Sequence, residues 1–293
     1  MQSTTIRSNN LNKNSISKKN NVSNNIIFLV LCGLVVVFLA PIIFIVINSF
    51  KGKFFISDNP FSFPTAETFV GITNYINGLE KTGFLSAMGW SFFITILSVI
   101  CILLFTSMTA YYITRVKSKI TSAIYYAFVF SMIVPFQMVM FTMSKIANML
   151  SLDNPLGILV IYLGFGSGLS VFMFSGFVKS IPFEIEEAAV IDGCNPIQTF
   201  FLIVLPLLKP IAITISILNV MWIWNDYLLP TLILPSEFRT IPMAVQYLRG
   251  GYGAVDMGAM MAVLVLAIIP IVIFYLVCQK HIIEGIAAGA VKG

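Results

Sequence analysis

KSIPFEIEEAAVIDGCNPIQTFFLIVLPLLKP, residues 179–210, interrupts a chain built otherwise of membrane-length apolar segments, and its punctuation writes two short helices joined at a bend. Pro182 suits a first helical turn, where a missing N–H would have had no intrahelical partner. Glu184, Glu186 and Glu187 put negative charge near the positive end of that helix. Gly193 ends it, because glycine enters a left-handed turn without a Cβ penalty. Asn195, Pro196 and Gln198 then supply an N-cap, a first-position proline and a third-position partner for the cap. Phe183, Ile185, Ala188, Ala189 and Ile191 give the first helix an apolar side with small residues in it, and Phe200, Phe201, Ile203 and Val204 give the second a bulkier one. Such a hairpin docks on protein or lies on a lipid surface.

The surroundings of this loop are membranous. Hydrophobic residues make up 58% and charged residues 10% of the 293, with a mean hydropathy of +0.95, too little charge to solvate a soluble domain. The formal charge of +5 comes from Lys and Arg in short clusters between apolar segments rather than on one basic face, which excludes nucleic-acid binding. Cys32, Cys101, Cys194 and Cys278 have neither metal-ligand nor redox spacing and read as free thiols.

A helix needs about 20 apolar residues to cross the hydrocarbon core. On that measure six spans are expected, at residues 26–50, 87–113, 121–143, 155–178, 211–234 and 257–278. Ser107 to Thr109, Pro135-Phe136-Gln137 and Gly164 to Ser170 interrupt the second, third and fourth with small or polar residues, as packing against other helices requires and lipid does not. Residues 1–25, rich in Asn, Ser and Lys, are expected to form a disordered tail. The apolar run that follows exceeds a signal h-region, so it is expected to stay on as the first span. Arg7, Lys13, Lys18 and Lys19 precede it, and Arg115, Lys117 and Lys119 fill the loop after the second span. The positive-inside rule places both clusters in the cytoplasm, and with six spans both termini and the 179–210 loop follow them there.

Few residues offer chemistry of their own. The sequence contains no G-x-x-x-x-G-K-[ST] phosphate loop, since Gly52-Lys53 is followed by Phe54. His281 is the only histidine and has no partner at metal-site spacing, so no metal is expected. Asp226 is the single charge inside an expected span, where a carboxylate is costly enough to mark a packing position satisfied at a helix break before Pro230, the lining of a path, or a gate. Trp222, Asn225 and Tyr227 beside it supply aromatic faces and a polar group, the combination sugar sites favour.

Three residues separate Ala189 from Gly193 and nine separate Gly193 from Ile203, so Glu187-Ala188-Ala189, Gly193, Ile203 and Leu205-Pro206 together fix seven positions in twenty. The stretch thereby resembles the E-A-A-x3-G-x9-I-x-L-P pattern of permease subunits of ATP-binding-cassette (ABC) importers. Val134-Pro135-Phe136-Gln137, Trp224 to Pro230 and the closing Gly289-Ala290-Val291-Lys292-Gly293 extend the likeness to maltose-type carbohydrate permeases over almost the whole chain from Ile26 onward. Small departures are Cys194, where Ala or Ser is common, and Trp90 directly followed by Ser91, where Asn often intervenes.

The resemblance implies an all-α integral membrane protein with six transmembrane helices in the type I ABC importer permease fold. Within it, residues 26–86 hold the first helix and an external loop, 87–278 the transmembrane domain with its coupling loop at 179–210, and 279–293 a cytoplasmic tail that reaches the ATPase dimer. The loop is implied to couple to that ATPase through Glu187, Ala188, Ala189, Gly193, Ile203, Leu205 and Pro206, with Glu187 at the contact and Gly193 at the bend. No cofactor is implied in this chain, ATP and Mg belonging to the partner ATPase. The implied partners are a second, different permease, a dimer of ATP-hydrolysing subunits, an extracytoplasmic sugar-binding protein, a sugar and the lipid bilayer. A secondary transporter is the nearest rival, but it would carry coupling-ion residues and often an internal repeat. A membrane enzyme is disfavoured because no catalytic constellation gathers at either face.

Overall fold

The computed structural model describes the backbone of residues 2–248 and 256–290 and the side chains of residues 24–248 and 256–280. In chain order its helices are α1 (Gln2–Ser49), α2 (Lys53–Asp58), α3 (Thr73–Thr82), α4 (Phe84–Arg115), α5 (Lys119–Ser131), α6 (Phe136–Met149), α7 (Gly157–Val178), α8 (Phe183–Ile191), α9 (Pro196–Gln198), α10 (Leu205–Leu207), α11 (Lys209–Asn225), α12 (Leu228–Ile233), α13 (Ile241–Tyr247) and α14 (Met257–Ala290). A π-helical turn, Thr199–Val204, joins α9 to α10, and a 3-10 turn, Ser236–Phe238, precedes α13. Lys51 and Phe69 form the one isolated β-bridge among the described residues.

Four stretches are long and apolar enough to cross a membrane as single helices: Asn24–Ser49, Phe84–Arg115, Gly157–Val178 and Met257–Lys280. Two further crossings arise only if bent pairs count as one each, Lys119–Ser131 with Phe136–Met149 at 109° and Pro196–Leu207 with Lys209–Asn225 at 74°. The expected third span, 121–143, is therefore not a straight helix. Pro135 has no N–H to donate and pushes Val134 out of helical geometry, so α5 stops and α6 restarts beyond the proline. The expected fifth span, 211–234, also fails as one helix, because α11 ends at Asn225 and Asp226 turns extended.

Helical backbone runs on at both ends, from Ser49 back to Gln2 in α1 and from Met257 to Ala290 in α14. A helix already nucleated by a span gains one hydrogen bond for each further residue it fixes, which makes extension easier than initiation. The side chains of residues 281–293, and with them the tail motif, lie outside the described residues.

Two helices, α4 and α7, pack most extensively on each other. α4 has 32 residues, which at 1.5 Å each is about 48 Å, so it outruns the roughly 30 Å of hydrocarbon and projects at its ends. α7 packs along it, and the glycines anticipated between 164 and 170 are where the approach is closest. A Cβ on Gly166 would stand 2.6 Å from Ile102 Cδ1, and one on Gly168 would stand 2.7 Å from Ser131 Oγ and 2.9 Å from the Phe128 carbonyl oxygen. Small residues thus let α7 lie against α4 on one side and α5 on the other. α1 packs on α14, and its other sides carry exposed Val, Leu, Ile and Phe, the face a bilayer solvates.

The Phe84 end of α4 is braced differently. Phe84 and Ala87 pack with Trp224, Ile241, Ala244 and Val263, and the Ser91 hydroxyl accepts the first N–H of α13 from Ile241 at 2.8 Å. Lys51, just beyond α1, is buried and donates from Nζ to the Asn59 carbonyl at 2.9 Å, and burial pulls its amine below the ordinary lysine range. The Asn74 amide donates to the carbonyls of Ser49 and Lys51, closing acceptors that the end of α1 leaves open.

Candidate coupling loop and translocation path

Both helices of the loop form where the punctuation places them. α8 ends in a Schellman arrangement, with the Cys194 N–H donating to the Ala189 carbonyl and the Gly193 N–H to the Val190 carbonyl, both at 3.0 Å. Gly193 has φ +89°, the left-handed region that a β-branched residue avoids. On the far side the Asn195 side chain accepts from the Gln198 N–H and the Gln198 side chain accepts from the Asn195 N–H, each at 2.9 Å, a reciprocal capping box.

The loop is buried at its roots and bare at its tip. Ile181, Phe200, Val204 and Leu208 are buried together with Ala110 of α4, Val171, Phe174 and Val178 of α7, and Ile215 of α11. Toward the bend, Val190, Ile191 and Ile197 are exposed, Ile191 at 84%, so the tip offers an apolar patch that the described residues leave uncovered. Glu187, Ala188, Gly193 and Pro206 are exposed, Ile203 and Leu205 half-buried, and Ala189 buried.

The buried acid of α8 is Glu186 rather than Glu187. Its carboxylate accepts from Arg115 Nε at 2.8 Å and from the Tyr111 hydroxyl at 2.9 Å, while Arg115 Nη2 donates to the Ile181 carbonyl at 2.9 Å. Glu186 and Ala189, three apart, share the inward face, and Glu187 turns outward. Helical periodicity within α8 could have flagged this choice. The partners 71 and 75 residues earlier had no local signal, and Arg115 was read only for topology.

Asp226 resolves the other marked position. Its carboxylate accepts from the first two N–H groups of α12, Leu228 at 3.0 Å and Leu229 at 3.3 Å, and from the Tyr162 hydroxyl at 3.1 Å. Of the neighbours expected around it, Asn225 donates to the Met221 carbonyl instead, and Trp222 packs edge-on against Tyr162 with ring centroids 5.4 Å apart. Trp222, Asn225 and Tyr227 each keep exposed surface beside this break. Tyr162, wholly buried on α7, is the member that the sequence reading missed. No group of three or more potential metal ligands occurs among the described residues.

These features define a helical membrane protein with an apolar-tipped hairpin and a broken fifth segment. The chain belongs to the family described as binding-protein-dependent transport system inner membrane component, whose model matches residues 102–287. It is 39% identical over 255 residues to the "Probable starch degradation products transport system permease protein AmyC" of Thermoanaerobacterium thermosulfurigenes, across 87% of this chain and 92% of that one. It is 36% identical over 262 residues to the multiple sugar-binding transport system permease protein MsmG of Streptococcus mutans serotype c, across 88% and 93% respectively. Its fold is similar to a chain in the crystal structure of a bacterial ABC transporter involved in import of the acidic polysaccharide alginate, with TM-score 0.71 and 24% identity over 87% of this chain and 95% of that one.

Proposed function

We propose that this chain is one of two different permease subunits of an importer that moves a sugar or sugar-like solute inward, with ATP and Mg2+ handled by a separate dimer of ATPase subunits. The observation that carries the proposal is the 179–210 hairpin, seated by buried roots and exposing an apolar tip beside the outward Glu187. A helix-and-bend hairpin of that kind fits a cleft on another protein. The sugar-related names of the similar permeases support the solute class, and they support an extracytoplasmic binding protein as the source of the solute. The break at Asp226, with Trp222, Asn225 and Tyr227 exposed around it, is the proposed lining of the path on this subunit.

Purification with co-expressed neighbouring gene products tests the proposal. An ATPase and a second permease should co-elute with this chain, and an oligosaccharide delivered by the binding protein should stimulate ATP hydrolysis several-fold. A chain that elutes alone, or hydrolysis that no sugar alters, would count against it.

The proposed orientation puts both termini and the hairpin in the cytoplasm, on the strength of the basic clusters at Arg7 to Lys19 and Arg115 to Lys119. With Cys32, Cys101, Cys194 and Cys278 replaced, single cysteines at the exposed positions Lys117 and Asp192 should react only with membrane-permeant thiol reagents. One at the exposed Thr65 should react from outside. Labelling of Asp192→Cys by an impermeant reagent in intact cells would reverse the orientation.

A further inference from the structure

We propose that Tyr111 and Arg115, at the end of α4, fasten both arms of the hairpin to the spanning core, so that force on its tip is delivered along α4 instead of being absorbed at the loop's roots. The proposal rests on the permease reading above. It assigns to these two side chains a positioning role in coupling.

The contacts divide between the arms. Arg115 holds only the first: Nε bonds the Glu186 carboxylate, Nη2 bonds the Ile181 carbonyl, and the guanidinium lies 5.8 Å from the centre of the Phe183 ring. Tyr111, one helical turn earlier on the same face, holds both. Its hydroxyl donates to Glu186 of the first arm, while its ring meets Phe200 of the second at 5.4 Å between centroids. One carboxylate therefore receives donors from two α4 residues, and one α4 ring touches the arm that carries no part of that charge network.

The charge pair is sheltered, with Arg115 and Glu186 side chains 17% and 6% exposed. A pair in such a place adds little net stability over an apolar substitute, but its direction is demanding and a lost partner leaves a charge stranded. Apolar packing of Ile181, Phe200, Val204 and Leu208 already seats the roots. What the charged hydrogen bonds add is a fixed angle between α8 and α4. α4 in turn packs along α7 and contacts α11, so a tilt imposed on α8 reaches the helix that carries Tyr162 and the one that ends beside Asp226.

The test uses the complete importer in proteoliposomes and reads solute moved per ATP hydrolysed. Arg115→Gln should lower that ratio about tenfold, the factor that one charge-assisted hydrogen bond is worth. Tyr111→Phe should lower it less, and Arg115→Lys, which keeps the charge, should recover part of the loss. The complex should still elute intact, with a lowered melting temperature in Arg115→Gln, where Glu186 loses its charge partner, and a nearly unchanged one in Tyr111→Phe, where Arg115 still holds it. Wild-type ratios in Arg115→Gln and Tyr111→Phe would overturn the proposal, and so would failure of even Tyr111→Phe to assemble, because that would make the contacts structural only. A spin label on Ile191→Cys, at the exposed tip, reads the clamp without nucleotide: added Arg115→Gln should increase its mobility, and an unchanged spectrum would refute the fastening. If the wild-type complex shows no sugar-stimulated hydrolysis while the label responds as expected, it is the importer reading that fails and not the clamp.

Discussion

Glu187→Lys and Gly193→Val should each leave membrane insertion intact and reduce ATP-driven uptake to background. The two changes reach the same outcome by different routes. Glu187 is exposed on α8 beside the bare tip, so reversing its charge alters what the hairpin presents to a partner without disturbing the fold. Gly193 has nothing within 4 Å of where its Cβ would stand, so a valine there is not excluded by crowding. Its cost is conformational: φ +89° is a strained region for a β-branched residue, and about 1–3 kcal/mol is enough to redirect the chain out of the Schellman turn. Gly193→Asn is the control, since Asn tolerates the left-handed region and should keep most of the transport. Uptake assays with the ATPase co-purified check both. Normal uptake by Gly193→Val would show that the bend carries no coupling function, and equal loss in Gly193→Asn would show that something other than backbone strain is at work.

Gly168→Val should abolish accumulation of folded protein altogether. The new side chain would begin 2.7 Å from Ser131 Oγ, 2.8 Å from Met132 Cγ and 2.9 Å from the Phe128 carbonyl, and the last of these is backbone that cannot rotate aside. Overpacking of a filled interface costs roughly 1–3 kcal/mol even when side chains yield, and here α5 itself must move. Gly164→Ala, on the same helix with nothing within 4 Å of its Cβ, should be neutral or stabilise by up to about 1 kcal/mol through helix propensity. Monodispersity and thermal unfolding in detergent separate the two. Equal behaviour of both variants would mean that the α7 crossing is looser than the atomic distances state.

Some of this architecture is written in local sequence, and those parts are the ones whose cause is local. The spans around Ala87, Pro155 and Met257 follow from apolar length, and the hairpin's bend follows from Gly193, Asn195 and Gln198 because caps act within a few residues. Where the expectation failed, a residue acted as a break instead of as an interruption. Pro135 was read as a packing signal inside a span, yet its missing N–H lets the chain turn through 109°. Asp226 was read as an intramembrane acid at a helix break before Pro230, and the break is there, but the Tyr162 hydroxyl that its carboxylate accepts comes from α7 and had no local signal. The clamp on Glu186 was wholly beyond local reading, since it depends on α4 returning to the hairpin 71 residues away. Sequence patterns marked the loop as important and chose Glu187 as its contact acid, while Glu186, three residues before Ala189 on the same face, is the one that packing turns inward.

Uptake of a labelled oligosaccharide into proteoliposomes tests the central claim most directly. The vesicles would hold this chain, its partner permease and the ATPase, with ATP enclosed on the side of the hairpin, binding protein on the other side and ionophores collapsing every ion gradient. The account predicts accumulation that requires ATP, ceases with a non-hydrolysable analogue and persists with ionophores present. Accumulation that survives without ATP but vanishes when the ion gradients collapse would contradict it.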